Sequence, residues 1–120
     1  MPLLYENKSD ADIQLMKDWA EVRQYVEKHF ENKPDIQVCL FLIGLNEFGT
    51  IREFEKEEKQ DLMHIGMCTL LLGEYYEYEY TDADGWPHFK DLQPLSSMFI
   101  KEQEAFLKQK IVKYFKEKVY

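Results

Sequence analysis

Residues 35–49, DIQVCLFLIGLNEFG, decide the fold, because they contain the longest apolar run in the chain and should form its most buried element. The preceding residues 32–35, Asn-Lys-Pro-Asp, are typical of a helix start, where Pro34 is tolerated in the first turn, and Gly49 suits a left-handed C-cap. We therefore predict a central helix. A buried strand over residues 36–43 is the alternative, since periodicity alone does not distinguish the two.

Three further helices are predicted around this central one. Apolar residues at alternating steps of four and three predict a first helix over residues 11–31, capped by Ser9 or Asp10. A third helix should begin at residue 52 or 54 in an acidic cluster and run to residue 72, with Gly73 ending it. A fourth, over residues 97–119, should be capped by a serine that follows Pro94.

Two glycines, Gly44 and Gly66, fall inside the second and third predicted helices. A glycine inside a helix costs about 1 kcal/mol relative to alanine, so we expect a packing reason for both. Close approach of two helices would supply it.

A β-hairpin is predicted between the third and fourth helices, in the stretch YYEYEYTDADGWPHF at residues 75–89. Tyrosines at 76, 78 and 80 alternate with glutamates at 77 and 79, as in a half-buried strand, and residues 82–85 form the turn. Tyrosine should then face Phe89 and glutamate should face Lys90; with the longer loop, Glu79 should also face His88. Pro87 requires an edge strand, or an N position that faces away from its neighbour.

These elements predict a mainly α fold with a small β component, built as a four-helix single domain over residues 1–120 with the hairpin between the third and fourth helices. The 15 basic and 23 acidic residues give a net charge of −8, which disfavours direct binding to nucleic acid. Residues 101–120 hold six lysines, and those near the end of the fourth helix, Lys110, Lys113, Lys116 and Lys118, should face the acidic body; a docking arm for an acidic partner is the alternative. The start of the chain resembles no signal peptide and no run could span a bilayer, so we expect a soluble, cytoplasmic protein without membrane contact.

Candidate chemistry is sparse. Cys39 and Cys68 lie in apolar stretches without metal-like spacing, so they should be buried thiols in a reducing compartment. One set of residues suits a transition metal: Glu47, Asp61, His64 and His88. A helical two-metal site usually supplies two Glu-x-x-His pairs and two further glutamates, however, and this chain has a single Asp-x-x-His. We therefore expect no cofactor, and a metal site at these four residues is the alternative.

Three stretches, FLIGLNEFG, HIGMCTLLLGEYY and DADGWPHF, together resemble a family of small uncharacterised bacterial proteins over about two thirds of the chain. The resemblance implies a cytoplasmic bacterial protein of mostly helical fold. It carries no activity, substrate or catalytic residue to this sequence.

For function, we expect a small non-enzymatic interaction module that uses the aromatic hairpin, because no nucleophile, base and oxyanion donors converge. Its candidate binding residues are Tyr75, Trp86, Pro87 and His88, and its partner would be another protein or a second copy of this chain. Trp86 could instead fold back onto the helices as a structural staple. The alternatives are a small metal- or ligand-binding enzyme, and an acidic mimic that occupies a basic partner.

Overall fold

The computed structural model describes residues 9–30, 35–95 and 99–120. Its elements, in chain order, are α1 (Asp10–Phe30), α2 (Ile36–Phe48), α3 (Lys56–Leu70), β1 (Tyr76–Thr81), β2 (Pro87–Asp91), α4 (Phe99–Glu102) and α5 (Glu104–Lys118). The mainly α fold, with an antiparallel hairpin between the third and fourth principal helices, is confirmed.

The central segment is helical, so the strand alternative for residues 36–43 is wrong. Asp35 caps α2, because its side chain accepts a hydrogen bond of 2.8 Å from the Val38 N–H. Gly49 ends the helix with a φ of 81°, and its N–H donates to the Leu45 carbonyl. Six of the thirteen residues of α2 are buried, more than in any other helix, as its apolar sequence predicts.

The helices α2 and α3 run antiparallel and touch through their backbones. A Cβ added at Gly44 would overlap the Leu62 carbonyl of α3, and one added at Gly66 would overlap the Leu40 carbonyl of α2. The contact is reciprocal, since each glycine receives a carbonyl from the facing helix. The predicted close approach of two helices is therefore confirmed.

The predicted third helix was too long at both ends. It begins at Lys56, because the Glu58 carboxylate accepts a hydrogen bond of 2.9 Å from the Glu55 N–H and fixes the start there. It ends at Leu70, where the chain turns: the Leu71 carbonyl accepts from the N–H groups of residues 74–76. Gly73 lies in this turn, with a φ of 86°, and does not end the helix itself.

The predicted fourth helix is divided in two at Gln103, whose φ of −117° and ψ of 32° are not helical. Phe99, on the short α4 before the division, is buried, with its ring centroid 5.4 Å from that of Tyr75. The predicted start at Ser97, like the end of the first helix at Glu31, lies outside the described residues. Ser9 caps α1: its hydroxyl accepts from the Asp12 N–H at 3.1 Å.

The helix α1 packs along α5 in the same direction. Its buried residues are Val22 and Val26, and Tyr25 meets Phe115 edge to face with a centroid separation of 5.9 Å. The α5 lysines pair with acidic residues elsewhere, as at Lys116 Nζ and Asp18 Oδ2, 3.0 Å apart. This ion pair, more than any other group, lowers the pKa of Asp18. No helix in the described ranges is long and apolar enough to span a bilayer.

Candidate functional site

The hairpin has the predicted register near its base. Tyr78 pairs with Phe89 and Glu77 with Lys90, and the rings of Tyr78 and Phe89 meet edge to face at 6.1 Å. Each strand of the two-stranded sheet is an edge, which satisfies the requirement set by Pro87.

Nearer the tip, the register shifts between Tyr78 and Tyr80, so the predicted pairing of Glu79 with His88 is wrong. Glu79 is the extra residue of a β-bulge, and Tyr80 pairs with His88 instead, with their rings stacked at 4.5 Å. Neighbouring residues of a strand face opposite sides, and Phe89 and His88 are neighbours on β2. The bulge therefore places Tyr78 and Tyr80 on opposite faces of the hairpin, whereas simple alternation predicted a common face.

The turn is organised by Asp82, whose importance the sequence analysis missed. Its carboxylate accepts hydrogen bonds from the N–H groups of Asp84 at 2.9 Å and Trp86 at 3.0 Å, and from His88 Nε2 at 2.8 Å. The His88 bond is the largest cause that lowers the pKa of Asp82, and the Trp86 N–H is the next. The Asp-x-Asp-Gly sequence was itself a signal, because an aspartate at the start of a turn commonly bonds the backbone two residues on.

Asp82 should make the stability of the protein depend on pH. Its folded pKa lies below its ordinary value of 3.8, so its contribution is present above about pH 4 and is lost as the pH falls through the folded pKa. Asp82→Asn should lower the melting temperature at pH 7, and the difference from the unsubstituted protein should shrink as the pH falls below about 4. Circular dichroism melts would measure this. Asp84→Asn is the matched control, and a pH-independent difference for Asp82→Asn would contradict the prediction.

Trp86 folds back onto the helical body. Its ring lies 4.4 Å from that of Phe48, at the end of α2, and 6.4 Å from that of Phe54, in the α2–α3 connection. It is half-buried. This placement is the one that the staple hypothesis describes.

The four candidate binding residues do not form one patch. Trp86, Pro87 and His88 lie together at the tip, whereas Tyr75 lies at the base, half-buried against Phe99. The tip residues line a cleft between the hairpin and α3.

The metal alternative is only partly assembled. Asp61, His64 and His88 line this same cleft, but His88 is engaged by Asp82 and His64 Nε2 lies 3.4 Å from Cys68 Sγ. Glu47 does not line the cleft; it accepts a hydrogen bond of 2.6 Å from the Tyr114 hydroxyl. Among the residues that the structure describes, no three His, Cys, Asp or Glu side chains are placed to hold a metal ion.

Both thiols are buried and unbridged. Desolvation raises the pKa of Cys39 to about 12, and it does the same to the pKa of Cys68. A thiolate is therefore disfavoured at either position, which does not suit a nucleophile.

A polar network and an apolar cavity near the C-terminal end of α2 had no signal in the sequence. The Tyr114 hydroxyl accepts from Asn46 Nδ2 at 2.7 Å while it donates to Glu47, and burial raises the pKa of Tyr114. Beside it lies a cavity of about 320 Å³, lined mainly by apolar residues of α2 and α5. The helices α2 and α5 both end here.

The strand β1 carries the most exposed aromatic side chains of the hairpin. Tyr78 is 52% exposed and Tyr80 is 51% exposed. Residues 74–84 include five acidic residues and no lysine or arginine, namely Glu74, Glu77, Glu79, Asp82 and Asp84. Within the described part of the chain, Glu77 and Glu79 form no ion pair.

Comparisons with known protein families, with curated proteins and with solved structures found no match. The resemblance to small bacterial proteins therefore stays a prediction.

Proposed function

We propose that this protein is a non-enzymatic interaction module whose hairpin binds a segment of a partner protein that is rich in lysine and arginine. One observation carries the proposal: two half-exposed tyrosines, Tyr78 and Tyr80, stand on a strand whose charged residues are all acidic. We expect the partner to meet this protein in a reducing bacterial cytoplasm, where two buried free thiols would persist.

Tyrosine and carboxylate together suit cationic side chains. A lysine or arginine over a tyrosine face gains about 0.5–1 kcal/mol at an exposed site, and an exposed ion pair adds about 0.2–1 kcal/mol. Glu77 and Glu79 need no internal ion pair to be broken before they meet a partner. The bulge presents one tyrosine on each face, so a basic segment that lies along β1 could contact both.

The hairpin is also held in place, which reduces the ordering cost of binding. An isolated two-stranded hairpin is marginally stable in water, but here Trp86 packs on Phe48 and Phe54, and Asp82 fixes the turn. The buried Tyr76 joins the base of the hairpin to the core. The arrangement is that of a rigid support with an exposed recognition strand.

The test is isothermal titration of the purified protein with a short peptide of alternating lysine and valine. We expect binding that weakens as salt rises, and a loss of about fivefold to thirtyfold when Tyr78 and Tyr80 are both changed to alanine, since two cation–π contacts contribute about 1–2 kcal/mol. A peptide of alternating glutamate and valine should not bind.

Tyr25→Ala is not a suitable control, because that ring packs on Phe115. The contribution of the hairpin carboxylates is tested by combining Glu77→Gln with Glu79→Gln. The matched control combines Glu53→Gln with Glu57→Gln, since both pairs of substitutions remove two exposed carboxylates. Only the hairpin pair should weaken binding. Equal losses from both pairs would show that the peptide responds to net charge alone, and the proposal would then be wrong.

A further inference from the structure

Beyond Tyr76, which bridges to Leu72, the edge of β1 that faces away from β2 pairs with no strand among the residues that the structure describes. In the described part of the chain the sheet has two strands, and every residue of β1 after Tyr76 is exposed, whereas Pro87 to Phe89 of β2 are half-buried. An unpaired strand edge is a template for another extended chain.

The hydrogen-bond pattern shows which groups face this edge. Leu92 N–H donates to the Tyr75 carbonyl, and Asp82 N–H donates to the Trp86 carbonyl. Each of these two residue pairs is therefore hydrogen-bonded across the hairpin. Bonded and non-bonded pairs alternate in an antiparallel ladder. This alternation, followed along β1 from Tyr75 at one end and from Asp82 at the other, leaves the N–H and C=O groups of Tyr78 and Thr81 pointing away from β2.

Two features select what can pair there. Glu77 and Glu79 flank the free groups of Tyr78, so a second copy of this chain would place carboxylates against carboxylates, which is unfavourable. A strand with lysine or arginine at the facing positions would instead meet opposite charges. The free groups of Tyr76 are not available in the same way, because its carbonyl already accepts from the Gly73 N–H at 2.8 Å.

We infer that the basic segment of the partner binds as an added third strand along β1, with backbone hydrogen bonds to Tyr78 and Thr81. The inference rests on the proposed function and specifies its geometry. It predicts recognition by main-chain bonds together with charge, as in other cases of strand addition.

Thr81→Pro tests the backbone contact. Proline removes the outward N–H at a position that does not bond to β2, so the hairpin should keep its own ladder. The lysine–valine peptide should bind this variant about fivefold to tenfold more weakly, as expected for one lost hydrogen bond. Thr81→Val is the control: it keeps the N–H, removes the hydroxyl that lies 2.8 Å from the Tyr78 hydroxyl, and should bind as the unsubstituted protein does.

A second arm needs no change to the protein. Two versions of the same peptide are N-methylated at alternate residues, each along a different edge of the extended chain. Each version keeps its charge and side chains but loses its backbone N–H donors on the methylated edge. The parent peptide should slow amide exchange at Tyr78 and Thr81. Methylation of one of its two edges should abolish most of the binding, and the slowing of exchange should be lost with it.

If both methylated peptides bind as the parent does, strand addition is wrong while the proposed function stands. If the parent peptide does not bind at all, the proposed function fails, and the inference fails with it.

Discussion

Changing Gly44 to alanine is expected to lower the free energy of unfolding by about 3 kcal/mol or more, because the new methyl group would overlap the Leu62 carbonyl. A flexible side chain could move aside, but this carbonyl belongs to the backbone of α3 and can move only with its helix. Gly66→Ala should have a similar effect, since its methyl group would meet the Leu40 carbonyl.

The sign of this effect separates packing from helix propensity. In an exposed helix, glycine to alanine stabilises by about 1 kcal/mol, so propensity alone predicts the opposite result. Gly49→Ala is the matched control: no atom lies within 4 Å of its added Cβ, and its positive φ should cost only about 1–2 kcal/mol. Denaturant unfolding would measure all three variants. A stability for Gly44→Ala equal to or above that of the unsubstituted protein would contradict the α2–α3 contact.

Changing Trp86 to alanine is expected to lower the free energy of unfolding by about 2 kcal/mol. A fully buried aromatic ring costs about 3–5 kcal/mol when truncated, and this ring is half-buried against Phe48 and Phe54. The hairpin tip would lose its contact with the end of α2, so amide exchange of β2 should also become faster.

Trp86→Phe tests whether the stability lost in Trp86→Ala comes from losing the aromatic ring that packs on Phe48. A phenyl ring can still stack on Phe48, so this variant should recover more than half of the lost stability in thermal melts followed by circular dichroism. If Trp86→Ala melts at the same temperature as the unsubstituted protein, the ring does not hold the hairpin to the helices.

The sequence was sufficient to predict the order and approximate positions of the principal helices, because their apolar spacing and caps are local signals. The helix over residues 36–48 followed from Asp35 and Gly49 at its two ends, although its apolar run alone also suited a strand. Glycines 44 and 66 indicated a close helix contact because each carries a known propensity cost. Alternation in the hairpin correctly placed Tyr78 opposite Phe89.

The start of α3 and the role of Asp82 had local signals that were missed, whereas two other errors lie where contacts between distant residues accompany a departure from the local pattern. The bulge at Glu79 reverses the face of Tyr80, and no residue type in the stretch specifies an unpaired position. The break at Gln103 falls inside a helical pattern, and Phe99 in the short helix before it packs on Tyr75, a residue distant in the sequence.

The candidate metal residues show the same limit. Asp61 and His64 share one face of α3 by simple spacing, and the hairpin brings His88 into the same cleft. Glu47 lies elsewhere because α5 supplies it with Tyr114, a partner 67 residues away in the chain. Spacing within one helix can predict neighbours, but it cannot predict which helix packs against a given face.

Backbone amide chemical shifts, recorded by NMR while the lysine–valine peptide is added, test the central claim most directly. We predict that the shifts concentrate on residues 76–82 and leave the other acidic cluster, residues 53–58, unchanged. Shifts centred on residues 53–58, or spread evenly over the acidic surface, would contradict the claim that the hairpin is the binding site.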